Sequence, residues 1–196
     1  MNKTILKTAL ITAGALAVAA TIVFLIWFLA FPASMSSVSG QMGNYNFAIK
    51  CADMQYNRSD KTEDLAVCAE MSIVTGEDKL IIKYCEPLIA KDDFDKLCIH
   101  KNEEVAKKLS ETQYGMYATD YRSYVIGNLA VSQYRTGDLQ KAVQTCEIGD
   151  KECFKRLIIE VVLRGSDEDK ENIRKYPQLP EAREYVEEML NLLAKS

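Results

Sequence analysis

The sequence predicts an all-α protein: one N-terminal transmembrane helix followed by a stack of antiparallel helical hairpins. Three observations carry this reading. An uncharged apolar run of 23 residues, Ala9 to Phe31, stands near the N-terminus. Beyond it, apolar residues recur at helical spacing with almost no strand-like alternation. Short clusters of Gly, Asp, Asn and Ser interrupt that pattern at intervals suited to tight turns between helices.

The apolar run comes first in the chain and conditions the rest. At about 1.5 Å per residue it spans a hydrocarbon core of ~30 Å with some allowance for tilt. Lys3 and Lys7 precede it, and no Lys or Arg follows until Lys50. The positive-inside rule then puts the N-terminus in the cytoplasm and the remainder across the membrane, in the periplasm or an equivalent oxidising compartment. The competing reading is a cleaved signal peptide, whose apolar core is usually about 7–15 residues and ends in a small-x-small site. Ser34-Met35-Ser36 is a passable site, but the run is longer than such a core, and Trp27, Phe28 and Phe31 crowd its end. The expected organisation is a cytoplasmic tail (1–8), the transmembrane helix (9–31), a Ser- and Gly-rich linker (32–43) and an extracytoplasmic helical domain (44–196).

Composition narrows the class. Of 24 basic residues, Lys3 and Lys7 lie before the span, which leaves 22 against 28 acidic residues beyond it. Nucleic-acid binding calls for the opposite sign. Six cysteines, Cys51, Cys68, Cys85, Cys98, Cys146 and Cys153, all follow the span, and none forms a C-x-x-C pair. Zinc-ribbon and thioredoxin-like motifs are therefore unsupported, and an even count across a membrane points to disulfides.

In order, the first helix of the domain is expected from about Asn44 to Tyr56. Asp60, with Glu63 three residues on, reads as the N-cap and capping box of the next, which stops at Thr75-Gly76. A third holds Leu80, Ile81, Tyr84, Cys85 and Leu88. Short helices are expected at 94–99 and 103–109, and a longer one over 114–135. Leu139–Ile148 and Lys151–Leu163 follow, separated by Gly149-Asp150. Ser166 and Asp169 start a short helix that Tyr176-Pro177 ends. The last begins at Pro180, with Ala182, Tyr185, Val186, Met189, Leu190 and Leu193 on one face.

The segment from Leu129 to Ala142 resembles a tetratricopeptide repeat (TPR). Leu129, Ala130, Tyr134, Gly137 and Ala142 follow the family order: a Leu-small pair, an aromatic, a Gly turn and an Ala five residues later. Small residues at 130 and 142 let two antiparallel helices come close, and Gly137 makes the turn. Ala69 to Gly76 repeats the interval, with Ile81 where the pattern wants Ala, and Gly43 to Ala48 is a weaker echo. The resemblance covers most of residues 43–164 but not 91–120. It implies a stack whose concave side is lined by the first helix of each repeat. That register places Tyr124, Val131, Tyr134 and Arg135, and Glu63, Glu70, Ile73 and Val74, on the partner-binding side.

The cysteines fit the same frame. Cys51, Cys68 and Cys85 are 17 residues apart, half of the ~34-residue TPR period. The pairs Cys51–Cys68, Cys85–Cys98 and Cys146–Cys153 are each centred on an expected turn, where residues at matching heights can be bridged. Cys68 and Cys85 are also symmetric about Gly76-Glu77, and buried thiols acting as small core residues remain the alternative to bridges.

Other chemistry finds little footing. His100 is the single histidine, and no nucleophile and orienting acid accompany it in sequence. Asp92, Asp93 and Asp95 lack the Gly and terminal Glu of a calcium loop. Asn57-Arg58-Ser59 is a glycosylation sequon, meaningful only in an ER lumen. Tyr114, Tyr117, Tyr121 and Tyr124 share one helical stripe, read first as helix packing, with peptide contact as the alternative. No catalytic activity, cofactor, metal or small-molecule substrate is expected. The TPR resemblance implies a scaffold for a protein partner at the membrane, such as an accessory subunit of a translocation or envelope-assembly complex. The alternative is a purely structural subunit of a large membrane complex with no free groove.

Overall fold

The computed structural model describes the backbone of residues 3–111 and 120–193 and the side chains of residues 11–106 and 120–193. Among them all regular structure is α-helical, in eleven helices. The chain divides into two compact units, Met1–Asp60 and Lys61–Ser196.

The first unit begins with α1 (Lys3–Ala30). Its segment Ile11–Ala30 has a mean hydropathy of 2.4, has no buried residue, and is long and apolar enough to cross a membrane as an anchor or signal sequence would. Residues 32–43, expected as a linker, instead form α2 (Pro32–Gln41), stopped by Gly43 at φ +76°. Pro32 occupies the first turn, where its fixed φ suits a helix and its missing N–H costs nothing. Small Ser36 and Ser39, with Pro32 and Met35, form a buried face that packs against α3 (Tyr45–Ser59). Packing thus outweighs the poor helix propensity of serine. Asn44 caps α3, its side-chain oxygen accepting from the Phe47 N–H at 3.3 Å. Asp60, read from sequence as the N-cap of the following helix, does a different job. It sits at φ +52° and closes α3 through its N–H to the Tyr56 carbonyl at 2.8 Å. Asp tolerates this left-handed geometry better than most side chains.

The second unit contains α4 (Thr62–Thr75), α5 (Asp78–Ile89), α6 (Phe94–Glu111), α7 (Tyr121–Arg135), α8 (Leu139–Ile148), α9 (Lys151–Arg164), α10 (Asp167–Lys175) and α11 (Pro180–Leu193). α4 packs on α5, α5 on α7, and α7 on both α8 and α9. α9 packs on α11, and α10 lies against α8, α9 and α11. α7 is the central element, with Val125, Ile126, Leu129 and Ala130 wholly buried. The Ser166–Asp169 capping box forms as its spacing predicts. The two short helices expected over 94–109 are one continuous helix, because nothing at His100–Asn102 breaks it. The Asn102 carboxamide instead ties α6 to the start of α7, donating to Asp120 and accepting from the Tyr121 N–H at 2.8 Å. Asp120 caps α7 at the Ser123 N–H, so the helix expected from 114 is seen from Tyr121. Tyr114 and Tyr117 lie outside the described residues.

Of the three bridges expected, Cys146–Cys153 forms across the α8–α9 turn, with Cα atoms 5.3 Å apart. Cys85 and Cys98 are not bridged to each other. The expected Cys51–Cys68 link would join the two units, and each of its cysteines is buried within its own unit. Symmetry about a turn places two cysteines at matching heights only if the flanking helices pair as a hairpin. The main partners of α5 are α4 and α7, not α6. Burial pushes the Cys85 thiol up to about 12 and, with Asp120, the Cys98 thiol up to about 11. Both are held as unreactive thiols rather than nucleophiles.

Candidate partner-binding surface

The surface is assembled in the second unit by three helices that leave one stripe each uncovered. On α7 the stripe is Tyr124, Asn128, Val131 and Arg135, at i, i+4, i+7 and i+11, flanked by buried positions on both sides. On α4 the same spacing gives Glu63, Val67, Glu70 and Val74. On α9 it gives Arg156, Ile159 and Leu163, with Leu163 73% exposed. The stripes adjoin. Burial, the Glu70 carboxylate and then the Cys85 thiol raise the Tyr124 phenol above its ordinary range, while the Arg156 cation opposes them. Arg156 reaches α7 because residue 127 is glycine: a Cβ there would lie 3.1 Å from Arg156 Cδ. The resulting face alternates apolar groups (Val67, Val74, Val131, Ile159, Leu163) with one Tyr and a few charges. Such a mixture suits an amphipathic protein segment.

One end of this face is covered from within. Lys101 of α6 pairs with Glu70 at 3.0 Å and stands 5.9 Å over the Tyr121 ring. Tyr121 is buried and tilts against Tyr124 at 6.4 Å. Burial and the neighbouring Glu70 push its phenol far up, so it stays protonated and acts as a packing group.

The sequence-derived residues divide accordingly. Glu63, Glu70, Tyr124, Val131 and Arg135 fall on the shared face, and Ile73, half-buried, borders it. Tyr134 turns away toward α9 and α10: its hydroxyl donates to Asp169 Oδ2 at 3.4 Å, and a Cβ on Gly165 would meet that hydroxyl at 2.6 Å. Arg135 is half committed elsewhere. Its Nε donates to Glu160 Oε1 at 2.7 Å, its Nη1 lies 3.9 Å from Asp78, and Glu160 also accepts from Arg164 at 3.0 Å. The Arg135 hydrogen bond holds Glu160 below the usual carboxylate range. Asp78, Tyr134, Arg135, Arg164 and Asp169 border a cavity of about 430 Å³ at the turn end of the hairpins, so Arg135 forms a polar brace at the edge of the open face.

Sequence reasoning passed over Arg156 and the buried hub at Gln133. Gln133 donates to Glu86 at 2.9 Å and accepts from Thr145 at 2.7 Å, while Lys141 pairs with Glu86 at 2.6 Å. A glutamine on the buried side of a helical pattern was the available signal. His100 lies on the exposed surface of α6, 3.5 Å from Glu104. Asp95 pairs with Arg122, and Asp93 accepts from Thr62 at 2.6 Å. Among the described residues no group of three or more His, Cys, Asp or Glu side chains is placed to hold a metal ion. Comparison with known proteins finds no family model, no curated protein and no solved structure that the chain matches.

Proposed function

We propose that the chain is a membrane-anchored extracytoplasmic adaptor of TPR-like build, which holds a protein partner on the face formed by α4, α7 and α9. The observation that carries this is the packing order. α4 and α5 form one hairpin, α7 and α8 a second, and α9 follows, with α7 packed on α9 and the first-helix stripes left open. That order is what stacked helical repeats produce, and their open side is a protein-binding surface. The apolar α1 supplies the anchor, and Lys3 and Lys7 orient it with the N-terminus in the cytoplasm. The Cys146–Cys153 bridge agrees with an oxidising compartment. The role is binding without catalysis, as in an accessory subunit of a translocation or envelope-assembly complex.

One observation favours the second reading, a purely structural subunit: α6 already lays Lys101 over Glu70 and Tyr121 at one end of the face. The variant Val74→Asp, Leu163→Asp separates the two. Both side chains are more than half exposed, so helicity should be unchanged, while partner capture should fall by ~10-fold or more because apolar anchors dominate such contacts. Unchanged capture would favour the structural subunit.

A further inference from the structure

Within the first unit, α3 touches the end of α1 at two points. The Phe47 ring stacks on Phe28 with centroids 5.7 Å apart, and Arg58 Nη1 donates to the Leu29 carbonyl at 2.6 Å. Phe47 and Arg58 are eleven residues apart on α3, about 16 Å along its axis at ~1.5 Å per residue. They nonetheless reach neighbouring residues of α1.

Beside these contacts, Phe24, Trp27, Met35, Val38, Met42 and Phe47 line a cavity of about 580 Å³, with Ser39 and Asn44 also at its wall. No charged side chain is among the lining residues. The volume falls within the ~300–1,000 Å³ typical of small-molecule sites. We propose that this cavity takes one acyl chain of a bilayer phospholipid. The proposal rests on reading α1 as a retained membrane helix. Two of its walls, Phe24 and Trp27, belong to the span itself, and the outward side chains of that span from Ile22 to Phe31 are largely exposed. The cavity is thus continuous with the surface that lipid chains cover, and its apolar lining suits a chain rather than a headgroup.

Trp27 is the single tryptophan and a wall of the cavity, so it reports occupancy directly. The full chain in detergent micelles is titrated with phosphatidylcholine carrying dibrominated acyl chains, and Trp27 emission is read. Saturable quenching at one lipid per chain is expected. Met42→Glu, at a position 80% exposed, should leave the helices intact and weaken the apparent affinity by ~10-fold or more, since a carboxylate at an apolar mouth is strongly disfavoured. Quenching that rises in proportion to lipid fraction, equal in both proteins, would show annular contact only and overturn the proposal. So would a crosslinked dimer in which a second copy shields Trp27 from the brominated chains. Alkaline carbonate extraction separates the two levels: release of the chain from membranes overturns the anchor reading itself, whereas retention with unsaturable quenching overturns the cavity alone.

Discussion

The two hairpins of the second unit turn on a glycine at the same place and are held by different means. In α7–α8, Gly137 sits at φ +97°, its N–H bonded to the Tyr134 carbonyl at 2.8 Å. Asp138 then caps α8 by accepting from the Lys141 N–H at 3.0 Å, and Ala142 is wholly buried. In α4–α5, Gly76 sits at φ +69° with its N–H shared between Ser72 and Ile73. The next residue, Glu77, makes no side-chain cap, and Ile81 is buried where the other hairpin has Ala142. The left-handed glycine is therefore the common requirement. The cap and the small residue are replaceable, because a larger side chain can fill the seam if the second helix seats around it.

That contrast can be broken most sharply at the seam. Ile81→Ala restores the small residue of the repeat pattern, yet it should destabilise by ~2–5 kcal/mol by leaving a cavity. Ala142→Leu, the reverse change in the tighter hairpin, should cost ~1–3 kcal/mol through overpacking. Thermal melts followed by circular dichroism give the order. A stabilising Ile81→Ala would mean that the pattern, not the packing, governs this site. At the caps the effects are smaller. Asp138→Ala should cost ~1 kcal/mol, whereas Glu77→Ala should change stability by less than ~0.5 kcal/mol. Equal losses at the two positions would remove the distinction between a capped and an uncapped turn.

Local chemistry made much of this fold legible. Gly137, Gly76, the Ser166–Asp169 box, Pro180 and the Cys146–Cys153 spacing each act within a few residues, so their consequences can be read from the chain. What escaped depends on partners distant in sequence. Residues 32–43 look like a linker because serine is a poor helix former, and only packing on α3 makes them helical. Asp60 reads from the chain as the cap of the next helix, and its positive φ makes it the close of α3 instead. The cysteines at 85 and 98 are symmetric about a turn whose helices do not pair as a hairpin. On the candidate face, Tyr124 and Val131 come from the register that the TPR resemblance implies. The turning of Tyr134 toward Asp169, and the lodging of Arg156 over Gly127, required the positions of α10 and α9.

A protein partner seated on the α4–α7–α9 face can be caught by site-specific photocrosslinking in intact membranes. A photoreactive residue is placed at Val131 or Leu163 on that face, or at Ile148 of α8, which is 54% exposed and off it. Discrete adducts with one protein are expected from Val131 and Leu163 and none from Ile148. Adducts from Ile148 alone, or equally from all three positions, would contradict this placement of the partner.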